Sequence, residues 1–302
     1  MDLITCAITT HKRKPEIVER ALKSILSQTY KKIEVFVVDD SPPDWEYRND
    51  VKYMVEGYSS QNVIYIPHEK CMGACVARNT ALENSNGKYI GYLDDDDEWK
   101  SEKIEMLLNG FTNENIALVY CDRLLYNDTT GETRVYNPEI HTGMIYDKLI
   151  VKNFIGSTSY PLLKTDCLKE IGGFDPLMQS AQDYDVWLRL ARKYEVAYID
   201  APLIVYHVHE GEQITKNPIK RISGLERICE KNIDYLSKNR YAYWVRINGI
   251  LTHYVDAKMY KKAIMGWLMA VSKKPFEIKA NINNLYNMFA RTIVNIRDRN
   301  KR

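Results

Sequence analysis

Over the first two hundred residues, short runs rich in β-branched side chains alternate with segments of helical period, and few architectures accommodate that alternation. Residues 3–9 read as a strand. Residues 15–28 read as a helix, with Pro15 in its first turn and Ile17, Ala21, Leu22, Ile25 and Leu26 on one face. Residues 33–38 are continuously apolar, as expected of a strand buried on both faces of a parallel sheet. A short strand at 63–66, a helix at 73–84 closed by Asn86-Gly87, a strand at 88–93, a helix at 101–111 and a strand at 116–121 continue the pattern. The expectation is an α/β sheet with right-handed crossovers, whose ligands bind beyond the carboxyl ends of the strands. Two of these strands end in acid: residues 33–38 run into Asp39-Asp40, and residues 88–93 stop at Asp94-Asp95-Asp96-Asp97. Both clusters should therefore fall on one rim.

Farther along, residues 123–136 suggest a hairpin around Asp128-Thr129-Thr130-Gly131. Gly172-Gly173-Phe174-Asp175, a helix over 181–193 and strands at 196–199 and 203–207 follow. Beyond Glu212 the chain turns helical, basic and poor in glycine. From there on it carries 19 Lys and Arg against 7 Asp and Glu, so the net charge of +2 hides a basic tail behind an acidic front. We expect a catalytic domain over 1–212 and a helical basic region over 213–302, with different tasks. No run of about 18 apolar residues is present to cross a bilayer. The opening residues lack a basic leader, and the six cysteines are scattered, which together suggest a cytoplasmic chain with reduced thiols.

Four successive carboxylates after a buried strand raise one another's pKa unless a cation neutralises them. Hard oxygen ligands suit Mg²⁺ or Mn²⁺, and such an ion can stabilise a departing diphosphate. The bland alternative is capping of the following helix, and for Asp97 capping is the expectation. A second acidic site, Asp183 and Asp185, opens the helix near 181. The two point about 200° apart on a helix, so only one can face a given cleft. One of them could take a proton from an acceptor hydroxyl; charge complementing the helix dipole is the alternative.

Several blocks together resemble the family 2 glycosyltransferases: 8–13 (Ile-Thr-Thr-His-Lys-Arg), 24–30, 34–41, Ala77-Arg78-Asn79, 87–90, 92–99, Gly172-Gly173-Phe174-Asp175 and 182–190. They keep the family's order over residues 3–210. The resemblance implies a GT-A fold, a Rossmann-like nucleotide-diphospho-sugar transferase domain with a C-terminal helical extension, acting with inversion on a UDP-sugar. It places Thr10, His11 and Asp40 at the donor's base, with Asp40 accepting from the uracil imide, and Arg78 at the base or diphosphate. It also places Asp95 on the ribose, Asp94 at the start of the D-x-D pattern, Asp96 on the metal (Mn²⁺ or Mg²⁺) and Asp183 as general base. A histidine after the last strand can complete the metal shell; of His207 and His209, the expected ligand is His209. No Gln-x-x-Arg-Trp motif is present, so a processive synthase is disfavoured.

The implied acceptor is a hydroxyl of a glycan or lipid-linked saccharide in surface polysaccharide assembly. In the tail, Leu285, Met288, Phe289, Thr292, Ile293 and Ile296 form an apolar stripe beside Arg291, Arg297, Arg299, Lys301 and Arg302. Such a helix could pack on the rest of the protein, join a homodimer, or lie on the inner face of the plasma membrane. No nucleic-acid reading motif is present. Two other functions fit the acidic rim: a Mg²⁺-dependent nucleotidyltransferase, against which the glycine-free loop at 9–14 speaks, and a non-catalytic sugar-nucleotide-binding module.

Overall fold

The structure, a computed structural model, describes residues 1–136, 139–208 and 217–299, without the side chains of Tyr136 and residues 293–299. The chain divides into two compact units, one of residues 1–176 and 183–210, the other of 177–182 and 211–302.

The first unit is built on a nine-stranded mixed sheet. Its amino-terminal part runs β1 (Ile4–Thr10), α1 (Pro15–Leu26), β2 (Ile33–Asp39), α2 (Arg48–Glu56), β3 (Val63–Pro67), α3 (Ala74–Asn84) and β4 (Tyr89–Asp94). There follow β5 (Glu98–Trp99), α4 (Lys103–Leu108), β6 (Ile116–Asn127), β7 (Thr133–Tyr136), α5 (Tyr146–Leu149), β8 (Leu162–Lys164), α6 (Thr165–Glu170), α7 (Gln182–Ala191) and β9 (Glu195–Val208). Across the sheet the order is β3-β2-β1-β4-β8-β6-β9-β5, with β7 hairpinned onto β6. Strands β1 to β4 are mutually parallel, in a register that sets Thr10 opposite Asp39 and Thr9 opposite Asp94. The two acidic clusters therefore leave the sheet at the same edge, as the strand ends required. Ile4, Cys6 and Ile8 of β1 pack with Val18, Leu22 and Ile25 of α1 and Val35 and Val37 of β2, which explains the apolar faces read from the sequence.

Two sequence expectations change. The segments 196–199 and 203–207 are one strand, β9, because a register shift against β6 absorbs Asp200 and Ala201 and lets Pro202 sit opposite Asp122. Asp97 caps no helix: it is fully buried, and α4 starts only at Lys103, behind Glu102.

Lys103 is the least comfortable residue of this core. Its side chain is completely buried, its ammonium lies 3.8 Å from the centroid of the Trp99 ring, and it makes no hydrogen bond. Burial lowers its pKa to about 8, against the pull of the Cys121 and Cys6 thiols nearby. The Trp99 face compensates only part of the desolvation.

The second unit is helical: α8 (Pro218–Lys231), α9 (Ile233–Leu236), α10 (Arg240–Asp256), α11 (Tyr260–Lys273) and α12 (Ile278–Arg299). Asn217 caps α8, its side chain accepting from the amides of Ile219 and Lys220 with Pro218 in the first turn. Residues 177–182 pack here because Gly224 has no side chain; a Cβ on it would lie 2.4 Å from the Ser180 carbonyl. Leu251 and Val255 of α10, Ala263 of α11 and Met288 of α12 form the small core. Asn281 ties the three helices: it accepts from the indoles of Trp244 and Trp267 and donates to the Lys274 carbonyl. The expected stripe over 285–296 is thereby split, since Met288 turns inward and Phe289 outward. Ile293 and Ile296 lie outside the described side chains. None of the six cysteines forms a disulfide, and among the described residues no helix is long and apolar enough to cross a membrane.

Because the unfolded chain binds the Lys103 proton more tightly than the folded one, the strain it imposes is full below pH 8 and fades towards pH 10.5. Lys103→Met should therefore raise the unfolding free energy at pH 7, and the gain should shrink by about 2 kcal/mol by pH 9.5. Urea unfolding of both proteins at the two pH values measures it.

Candidate active site

The carboxyl ends of β1, β2 and β4 bring Thr10, Asp40 and the Asp94–Asp97 run together. The sequence predicted a cation for this run; what the fold supplies first is two guanidiniums and a row of hydroxyls. Arg13, just after β1, donates from Nε to Asp95 at 2.9 Å and from its terminal nitrogen to Asp96. Arg78 of α3 donates to Asp94 at 3.0 Å. The hydroxyls come from residues ahead of β8: Ser157 and Thr158 donate to Asp94 at 3.2 and 2.9 Å, and Ser159 donates to Asp97 at 2.6 Å. Ser159 also accepts the Asp94 amide, so one side chain locks both ends of the acidic turn.

The four carboxylates are thus unequal. Asp97 is a buried structural group whose pKa burial and its acidic neighbours raise well above normal. Asp95 is also buried, and desolvation outweighs Arg13 to push it up to about 6. Asp94 and Asp96 remain partly open to solvent, at 31% and 24% of their side-chain surface. Sequence reasoning missed the hydroxyl row. Its only local signal is Ser157-Thr158-Ser159 before a short apolar strand, which is a weak one.

Asp40 is buried, and its carboxylate is almost filled. It faces His68 Nδ1 at 2.8 Å and accepts the amides of Met72 and Gly73 at 2.7 and 2.8 Å, with the Cys71 thiol at a longer 3.4 Å. Burial alone would raise its pKa, but these donors hold it below the usual carboxylate range. A further donor such as an imide N–H has only the Cys71 position to take. Thr10 is buried at the same edge, and exposed His11 sets Nδ1 2.9 Å from the Asp40 carbonyl.

Arg78 and its neighbour explain two sequence blocks at once. The Asn79 side chain donates to the Phe174 carbonyl at 2.7 Å and accepts its amide at 2.8 Å, while Arg78 lies over the Phe174 ring. Gly173, at φ +65°, makes the approach; a Cβ there would stand 2.5 Å from the Asn79 oxygen. The same turn is held from the other side by Arg189, which donates to the carbonyls of Ile171 and Gly173 and pairs with Asp185. Asp185 is thereby consumed, with its side chain 1% exposed. Asp183 sits in the first turn of α7, partly exposed, with one oxygen accepting the Tyr184 amide. Of the two acids, only Asp183 is accessible.

His207 is not available to a metal. Its Nδ1 lies 2.6 Å from Asp128 and its Nε2 2.9 Å from Glu98, so both nitrogens are placed to donate to carboxylates, as only the charged imidazole can. Burial opposes that charge, yet the two carboxylates raise its pKa above the ordinary value. His209 lies outside the described residues.

Residues 5–172 match the profile described as glycosyl transferase family 2. The chain belongs to that family. It is similar to WcaA of Escherichia coli K12, named as a colanic acid biosynthesis glycosyl transferase (29% identity over 80% of this chain and 85% of the relative). It also resembles WfaP of Escherichia coli, named as a UDP-Glc:α-D-GlcNAc-diphosphoundecaprenol β-1,3-glucosyltransferase (27% identity over 84% of this chain and 96% of the relative). The solved structure of Staphylococcus aureus TarS 1–349 in complex with UDP-GlcNAc shares its fold, with a TM-score of 0.69 at 15% identity over 97% of this chain and 88% of that one. The curled mixed sheet is thus the GT-A fold with added C-terminal helices, and the protein is a glycosyltransferase whose relatives work in surface polysaccharide biosynthesis. Membership in this family removes the nucleotidyltransferase alternative.

The two acids of α7 separate in experiment. Asp185→Ala leaves Arg189 without its partner and should cost about 3 kcal/mol of stability, the usual loss when one member of a buried ion pair is removed. Asp183→Ala should cost less, about 1 kcal/mol at most, as for a carboxylate in the first turn of a helix.

Proposed function

We propose that this glycosyltransferase moves a sugar, with inversion, from a UDP-sugar to a hydroxyl of a lipid-linked saccharide. The carrying observation is the shared edge: Thr10, Asp40 and Asp94–Asp96 converge on it, while Asp183 is the one acid of α7 left accessible. The name of WfaP, which specifies a UDP-glucose donor and a diphosphoundecaprenol-linked acceptor, supports both substrate classes.

In this reading Thr10, His11 and Asp40 hold the base, with the imide replacing the Cys71 thiol on Asp40. Asp95 faces the ribose. Arg78, held between Asp94 and Phe174, meets the diphosphate. Asp183 takes the acceptor hydroxyl's proton on the face opposite the leaving group. The open, all-oxygen character of Asp94 and Asp96 suits a hard divalent ion, with Asp96 and His209 as its protein ligands. When bound, Mn²⁺ or Mg²⁺ supplies positive charge against the departing diphosphate. Arg13 performs that neutralisation in the resting protein and has to yield Asp96 to the ion.

Three measurements bear on this. In a screen of UDP-sugars with Mn²⁺, one donor should be hydrolysed slowly without acceptor; equal binding of UDP and other nucleoside diphosphates would show the Asp40 assignment to be wrong. Asp183→Asn should lower transfer by a factor of about 10² to 10⁴ while UDP still binds, as expected for loss of a general base. Arg13→Ala should bind Mn²⁺ in the absence of nucleotide about tenfold more tightly by electron paramagnetic resonance, since a competing cation has been removed.

A further inference from the structure

The helical unit carries an apolar surface that nothing in the described structure covers. On α11, Ala263, Gly266 and Ala270 face inward, whereas Ile264, Met265, Leu268 and Met269 are 44–55% exposed. On α12, Met288 faces inward, whereas Ile278, Ile282, Tyr286 and Phe289 are 58–69% exposed and recur at helical spacing along one line. Phe276, between the two helices, is 94% exposed. Single exposed apolar residues are ordinary, but exposed apolar rows on two contacting helices with a bare phenylalanine between them are not.

Charge identifies the occupant. Residues 257–292 carry seven basic side chains against one acid, Glu277; Lys262, Lys274 and Arg291 pair with Glu226, Glu277 and Asp256, and Lys258, Lys261, Lys273 and Lys279 keep the surface positive. Lys261 and Lys279 are exposed on the same two helices as the stripes. A second copy of the chain, docked by a two-fold axis, would press this positive surface against itself. An anionic bilayer complements it twice over: the stripes enter the headgroup boundary and the long lysine side chains reach the phosphates.

The geometry points to the outward faces of α11 and α12, with Phe276, as a docking surface for an anionic lipid membrane. It shares only Phe289 with the tail stripe at 285–296, whose other described side chains, Leu285, Met288 and Thr292, turn inward or are half-buried. Its use rests on the lipid-linked acceptor proposed above, because a bilayer-bound chain meets a bilayer-bound acceptor in two dimensions. Its geometry does not depend on that proposal.

Flotation of the full chain with vesicles tests it, with no donor, metal or acceptor present. The wild type should float with phosphatidylglycerol–phosphatidylcholine vesicles at least tenfold more than with phosphatidylcholine alone, and high salt should release it. Lys261→Glu with Lys279→Glu should weaken flotation by about thirty-fold or more. Leu268→Ser with Phe276→Ser and Ile282→Ser should abolish it, with the helical circular dichroism of the wild type retained. Equal binding to neutral vesicles, no binding to either, or variants that float like the wild type would overturn the docking surface. So would an apolar variant that changes only the oligomeric mass in sedimentation. None of these outcomes touches the transferase reading, which UDP binding and donor hydrolysis decide.

Discussion

Everything at the acidic edge of the sheet depends on how one short stretch of like charge is held. Asp94 to Asp97 follow a buried strand, where the repulsion of four carboxylates would unwind the turn if nothing opposed it. Arg13 reaches in from just after β1 and Arg78 from α3, and Ser157 to Ser159 arrive from the residues ahead of β8. These contacts sort the acids into two kinds. Asp95 and Asp97 are buried and held, while Asp94 and Asp96 stay partly open to solvent.

The same arginines connect the edge to the rest of the molecule. Arg78 lies on Phe174, whose backbone is gripped by Asn79, and the turn carrying Phe174 is braced by Arg189 and Asp185 from α7. The base candidate Asp183 stands at the start of that helix. The acidic turn and the start of α7 are thus joined through a continuous chain of side-chain contacts. His207, clamped between Asp128 and Glu98, ties the end of β9 to the hairpin in the same manner.

Much of this was legible beforehand, and the reason is local. Continuous apolar runs ending in acid announce buried parallel strands with their carboxylates on one rim, because parallel strands all point the same way. The Asp185–Arg189 pair was also readable, being spaced four apart on a helix, and would have singled out Asp183 by elimination. The Ser157–Ser159 row was not, since three hydroxyls in a loop look alike whether they meet solvent or Asp94.

By itself, the sequence determined the α/β architecture, the rim on which the acids stand, the family and a helical basic tail, all of which follow from periodicity and motif order. Only the tertiary structure decided that guanidiniums neutralise the acidic run, that Asp97 is structural, that His207 is unavailable and that Met288 turns inward while Phe289 does not. The physical reason is common to all four. Each depends on a partner brought from tens of residues away by chain closure, and a residue's chemistry is set by the neighbour it meets there.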